Sequence, residues 1–214
     1  MILQPSFFNR DSAQVASDLI GKVIRRKYNG CWLAARIIET EAYYLLDKAS
    51  HSSLGYTEKR KAMFMPPGTI YMYYARGKDS LNISCKGKGN AVLIKSAHFF
   101  SDDMCHTNSL SIMQKLNPDT SGEARDINRL CSGQTLLCKS LHLKVADWDQ
   151  KTFTPEEFFI DDTGYTPQSI IQTTRLGIPE GRHEDLLLRF IDKKYAMYCS
   201  KNPLTQRDAT FQIL

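Results

Sequence analysis

A single domain of mixed α/β (α+β) structure spanning residues 1–214 is the fold class that the sequence predicts, on three observations. The chain is long enough for one well-filled core. Its first hundred residues alternate β-branched or aromatic runs with tight Gly-containing turns, as antiparallel hairpins do. From residue 96 onward the pattern turns helical and less regular, before short apolar runs close the chain. No internal repeat, low-complexity tract or linker divides it.

The elements follow in order. Asp11 or Ser12 caps a helix through Ile20, with Ala13, Ala16, Leu19 and Ile20 as its apolar stripe and Gly21 as its stop. Residues 22–27 read as a strand, and Asn29-Gly30 turns the chain back through residues 31–38. Residues 46–61 are polar and mixed and read as a loop carrying His51. Met65-Pro66-Pro67-Gly68 forces a turn into an extended segment, residues 69–75, with Tyr71, Tyr73 and Tyr74. Arg76-Gly77-Lys78-Asp79 is its turn and residues 81–85 its return strand, bearing Asn82. Residues 91–94 are wholly apolar, as a strand buried on both faces would be, and end at Lys95. Helices are predicted over 108–116, 123–130 and 134–141, the last capped by Ser132. Residues 146–168 read as an acidic loop, and 186–191 and 195–199 as closing strands.

The stretch RIIETEAYY, residues 36–44, is where chemistry is expected. Period-two alternation places Ile37, Glu39, Glu41 and Tyr43 on one face. Neighbouring carboxylates repel unless water or a cation compensates, so this face is expected at a strand end beside a wet cleft. Alternation does not choose between Glu39 and Glu41, and a solvated strand terminus would carry the same residues.

Composition narrows the function classes. Residues 1–98 carry fifteen Lys and Arg against seven Asp and Glu, whereas 99–214 carry thirteen against sixteen, so the net +5 conceals +8 and −3. A positive part that also holds the ETE motif points to a polyanionic partner. No apolar run approaches a bilayer span and the N-terminus lacks a signal-peptide pattern, so a cytoplasmic protein without membrane contact is expected. The six cysteines are scattered, with no CxxC pair and no histidine at finger spacing, so neither zinc nor a disulfide framework is expected.

Taken in order, RIIETEAY, a following loop histidine, MFMPPGTIYMYY, LNIS, AVLIK and RLCSG resemble the alkyladenine (3-methyladenine) DNA glycosylases. The likeness runs from about residue 17 to 141 and more thinly through 174–191. It implies a mixed α/β domain around a curved antiparallel sheet, with a protruding hairpin that enters the DNA minor groove. It further implies that Glu41 is the catalytic base, that Tyr43 stacks on one face of an extruded base, and that His51 and Tyr73 close the other. Asn82 would crowd the exocyclic amino group of guanine, Lys95 would line the substrate pocket, and Tyr74, Arg76 and Lys78 would meet DNA. The partner would be double-stranded DNA containing damaged purines, bound by a monomer. No metal or other cofactor is implied, and no lysine is placed by the motif to form a Schiff base, so a monofunctional enzyme is expected.

Three departures from the family pattern stand out. The hairpin tip is one residue shorter, which leaves Arg76 nearest the position of the usual bulky wedge. The loop between Tyr43 and His51 is also one residue short. Lys95 stands where arginine is common, keeping the charge and losing the bidentate fork. Two other classes use the same residues. A non-enzymatic nucleic-acid-binding module would stack bases on the three tyrosines but leaves the ETE carboxylates unexplained. A carbohydrate hydrolase would need Glu39 and Glu41 to flank a sugar, although both lie on one strand.

Overall fold

The computed structural model describes all 214 residues. Two short helices, α1 (Pro5–Phe8) and α2 (Ser12–Leu19), precede β1 (Val23–Tyr28), β2 (Cys31–Tyr43), β3 (Ile70–Ala75), β4 (Lys78–Ser84) and β5 (Ala91–Phe99). Three helices follow, α3 (Ser109–Leu116), α4 (Gln134–Ser140) and α5 (Val145–Trp148). The chain closes with β6 (Phe158–Asp161), β7 (Ile170–Thr173), β8 (Arg189–Asp192) and β9 (Phe211–Ile213). The nine strands form one sheet in the order β3-β4-β5-β2-β8-β7-β9, with β1 beside β2 and β6 beside β1.

Local chemistry explains the early elements. The Asp11 carboxylate accepts from the backbone N–H of Ala13 and Gln14, capping α2 as predicted, while Val15, Ala16 and Leu19 bury its inner face. Asn29 and Gly30 both adopt positive φ, 47° and 79°, so β1 and β2 join through the two-residue turn whose twist suits a hairpin.

β2 is the organising strand. Its first part pairs with β1, Glu39–Glu41 pairs with β8, and β5 runs along its other edge. Where β2 changes neighbour, Ile38 on β2 and Lys95 on β5 fall outside the register as bulges. Bulges sharpen twist and bend strands, which curves the sheet at this point. The Ile38 bulge also interrupts the predicted alternation between Ile37 and Glu39.

Successive cross-strand rows then face opposite ways. Ile70, Ile83, Val92 and Ala42 oppose one another across β3, β4, β5 and β2, and all four belong to the main hydrophobic core. That core also takes Val15 and Leu19 of α2, Met113 of α3 and Leu137 of α4. The adjacent row, Tyr71, Asn82, Leu93, Glu41 and Arg189, crosses five strands on the other face.

The later chain departs from expectation in several places. Residues 123–130 are no helix: only Ile127–Arg129 forms a 3₁₀ turn. Asp119 accepts from the N–H groups of Ser121 and Glu123, offering that backbone a turn that competes with helix. Residues 195–199 are no strand, because the Asp192 carboxylate caps a 3₁₀ segment, Lys193–Tyr198, through the Lys194 N–H. The acidic loop expected over 146–168 contains β6, whose Phe158, Phe159 and Ile160 are buried against β1. The loop expected over 46–61 contains the 3₁₀ segment His51–Leu54 and most of a second, Glu58–Phe64. β7 and β9 were not anticipated at all.

Candidate active site

Glu39 and Glu41 lie two residues apart on β2 and neither exposes any surface. The wet strand end expected of them is absent: cations and backbone donors compensate their charge inside the sheet. Glu39 receives Arg189 Nε at 2.6 Å, the Ser96 hydroxyl, and the Ser200 N–H at 2.8 Å. Two of these partners, Arg189 at 1% and Ser96 at 0% exposure, are as buried as Glu39 itself, so Glu39 is a structural anion.

Glu41 has different company. It accepts from the Tyr43 hydroxyl at 2.6 Å and the Leu176 N–H at 3.3 Å, and pairs with Lys95 Nζ at 3.4 Å. These contacts leave room for another donor on the carboxylate, since two oxygens offer about four lone-pair sites. Burial, and then the adjacent Glu41 carboxylate, push the Tyr43 phenol well above its ordinary range, so it remains a proton donor at any physiological pH.

Tyr43, Lys95 and Leu176 line a cavity of about 760 Å³, and Glu41 lies just behind that wall. The volume falls among small-molecule sites, about 300–1,000 Å³. His51, Tyr73 and Asn82 line the same cavity, as do Tyr74, Arg76 and Lys78 of the β3–β4 hairpin. Every residue singled out from the sequence except the two ETE carboxylates, Glu39 and Glu41, therefore borders one space. Tyr71 and Tyr73 project from β3 with rings 5.5 Å apart and nearly parallel. The His51 ring meets Tyr73 edge-on at 4.3 Å, and its Nδ1 lies 3.2 Å from the Tyr71 hydroxyl. Loss of surrounding water and, secondarily, Arg60 lower the His51 pKa, which favours the neutral ring at pH 7. Asn82 is 5% exposed and donates from Nδ2 to the Tyr71 carbonyl at 3.2 Å.

Ala75 and Lys78 pair directly, so the hairpin tip is the two residues Arg76 and Gly77, at φ 50° and 75°. Lys78 and Asp79 belong to β4 rather than to the turn. Arg76 and Lys78 are exposed, and neither side chain makes a salt bridge or hydrogen bond within the protein.

Arg175 was missed by sequence reasoning. Its fully buried guanidinium grips Asp47 with both terminal nitrogens, donates to the Ala42 carbonyl at 3.1 Å, and lies 4.7 Å from the Tyr43 ring centre. It thereby ties the loop after β7 to the loop after β2 and backs the Tyr43 ring. Met63, Leu93 and Ile178 also line the cavity. No local pattern marks any of these four residues, since their roles come from strands and loops that meet only in three dimensions.

Known proteins resemble the chain in sequence over most of its length. A family described as methylpurine-DNA glycosylase matches residues 6–196. A protein of Pseudomonas syringae pv. tomato named "Putative 3-methyladenine DNA glycosylase" is 61% identical over 202 residues, covering 94% of this chain and 91% of that one. Proteins with the same name from Pseudomonas aeruginosa (strain LESB58) and Clostridium perfringens are 58% and 32% identical, over 94% and 90% of this chain and 84% and 96% of their own. With a β-rich scaffold that sets a buried glutamate behind an aromatic, cation-rimmed cavity, and a family match over nearly its full length, the chain belongs to the methylpurine-DNA glycosylase family.

Proposed function

We propose that the chain is a monofunctional enzyme of base excision repair that extrudes an alkylated or deaminated purine from double-stranded DNA and hydrolyses its N-glycosidic bond. The observation that carries this reading is Glu41, held by Tyr43, Lys95 and the Leu176 N–H behind an aromatic cavity. A base inside a stacked duplex is inaccessible, so it must be flipped, and a damaged base costs less to flip. Tyr43, backed by Arg175, and the His51–Tyr73 pair supply aromatic surfaces for the flipped base.

Glu41, ionised, holds a water and takes its proton as the oxygen attacks C1′, while its charge stabilises the oxocarbenium character of the sugar. Lys95, 15% exposed, covers Glu41 on the cavity side, and its displacement admits the water. A 3-methyladenine or 7-methylguanine leaves readily because alkylation has already made it a cation. Hypoxanthine and ethenoadenine need a proton first and are expected to react more slowly. Base release from duplexes carrying single defined lesions tests the reading, because a binding module releases nothing.

Two further outcomes are expected. Asn82 sits beside Tyr71 in the same cross-strand row as Glu41, where its amide fills space that the guanine amino group would need. Asn82→Ala should release unmodified guanine from undamaged duplex measurably above wild type. Equal release would place the exclusion elsewhere.

Arg76 projects from the tip with no partner of its own, so its planar guanidinium can fill the gap left by a flipped nucleotide. Arg76→Ala is the right probe, because alanine retains a Cβ at φ 50° and leaves the turn strain unchanged, whereas glycine would relax it. Flipping, followed by 2-aminopurine fluorescence beside the lesion, should slow far more than affinity for undamaged DNA falls. Uniform weakening, with the salt slope lower by about 1, would make Arg76 a phosphate contact instead.

A further inference from the structure

We infer that Arg175 is a positioning residue for Glu41, a buried guanidinium that sets the rotation of the carboxylate through both of its oxygens; this rests on reading Glu41 as the general base. The Tyr43 hydroxyl donates to Oε2 at 2.6 Å and the Leu176 N–H to Oε1 at 3.3 Å. Arg175 holds both donors. Its guanidinium carbon lies over the Tyr43 ring, 4.7 Å from the centre, and Leu176 is the next residue in the chain. A third grip reaches the strand itself, because Nη1 donates at 3.1 Å to the carbonyl of Ala42, between Glu41 and Tyr43. Arg175 is fixed in turn by Asp47, which accepts from both terminal nitrogens, and by the His183 carbonyl, which accepts from Nη2 at 3.3 Å.

These contacts call for an arginine. A planar fork can meet a carboxylate with two nitrogens while its face lies against an aromatic ring, and a lysine ammonium cannot do both. The Arg175 and Asp47 side chains, 0% and 3% exposed, together bring no net charge to the cavity, so they act on Glu41 by orientation rather than by field. The water that attacks C1′ is bound by the lone pairs that Tyr43, Leu176 and Lys95 leave free, and its direction follows the rotation of the carboxylate. Misplacing a reacting group by about 1 Å can cost ~10²-fold in rate. A buried ion pair is in itself weak evidence of added stability, since apolar groups of similar volume often serve as well. Apolar groups could not grip Ala42 or lock the backbone before Leu176 to the loop after β2, and those contacts give the pair its use.

The test is single-turnover release of 7-methylguanine from a duplex carrying one such base, with the full chain in excess. The rate constant at saturation reports the bound complex, the half-saturating concentration reports affinity, and stoichiometric titration with the lesion duplex counts competent molecules. Arg175→Lys keeps a cation beside Asp47 and should lower the rate constant about 10- to 100-fold, with half-saturation within about threefold of wild type and the competent fraction unchanged. Arg182→Ala is the control. Exposed Arg182 ties the same two loops through the Lys48 carbonyl but makes no hydrogen bond to Ala42, Tyr43 or Leu176, so its rate constant should stay within about twofold of wild type. If Arg175→Lys does not fold, as judged by its thermal midpoint, Arg175→Gln/Asp47→Asn removes both charges, strands neither and should show the same slowing. A wild-type rate constant from a reduced competent fraction, equal slowing by Arg182→Ala, or failure of both Arg175 variants to fold would each make the pair a structural clasp and overturn the inference. Wild-type release with an unslowed Arg175 variant removes only the positioning role, whereas no release by wild type removes the reading of Glu41 as the base as well.

Discussion

Glu41→Gln should abolish base release while leaving affinity for lesion-containing duplex within a few fold of wild type. Loss of a general base typically costs ~10²–10⁴-fold, and single-turnover excision should fall by that amount. The substitution is conservative for the fold: glutamine fills the same volume, and its amide oxygen can still accept from the Tyr43 hydroxyl or the Leu176 N–H. It loses the ionic contact with Lys95, which borders the open cavity and can turn towards water. The control is Glu39→Gln, whose excision rate per folded molecule should stay near wild type, because Glu39 is engaged by Arg189, Ser96 and Ser200. Activity that survives Glu41→Gln and vanishes in Glu39→Gln would reverse the assignment.

Arg189→Met should destabilise the fold severely while leaving the catalytic group in place. Arg189 and Glu39 form an ion pair at 2.6 Å with side chains only 1% and 0% exposed. Removing one partner of such a pair strands the other charge in the interior, at a cost of about 3–5 kcal/mol. For a chain of this size each 1 kcal/mol moves the thermal midpoint by about 2–4 °C, so a fall of roughly 6–20 °C is expected. The double variant Arg189→Met/Glu39→Gln should recover part of that loss, because it removes both charges. Thermal and urea unfolding measure both variants. A single-variant loss below about 1 kcal/mol would mean that water reaches Glu39 and the pair is not anchoring the sheet.

These two carboxylates show where sequence reasoning stopped. Periodicity put Glu39 and Glu41 on one face, and β2 keeps them there. What separates an anchor from a candidate base is the identity of their partners. Arg189 lies 150 residues from Glu39, and the Leu176 N–H lies 135 residues from Glu41. No spacing within ETE encodes either contact; only the likeness to a known family pointed to Glu41. The wet strand end was wrongly expected because β5 and β8 flank this part of β2, and β8 joins the sheet only through long-range pairing.

Elements set by a few adjacent residues were legible. Asp11 caps α2, and Asn29-Gly30 makes its turn, whatever the rest of the chain does. Elements decided by competition were not. β6 was hidden because Glu156, Glu157, Asp161 and Asp162 flank its Phe-Phe-Ile core, and average composition over that stretch reads as acidic loop. The apolar residues after Asp192 suit a strand, yet the Asp192 side chain diverts the backbone into a 3₁₀ segment. The β3–β4 hairpin was foreseen with too long a turn, because Lys78 and Asp79 are polar residues that nonetheless pair with Ala75 and Tyr74.

The cavity follows from register more than from any motif. Tyr71, Asn82, Leu93 and Glu41 come from four separate strands and align because successive pairings bring them opposite one another. A one-residue slip in any of these strands would send its member to the core face.

The most direct test of the account is the fate of the base when purified protein meets duplexes carrying single 7-methylguanine, 3-methyladenine or hypoxanthine residues, with free purine followed by chromatography. The account predicts release of free methylpurine, slower release of hypoxanthine, and loss of both in Glu41→Gln. Tight, lesion-selective binding by the wild-type protein with every base still attached would contradict it.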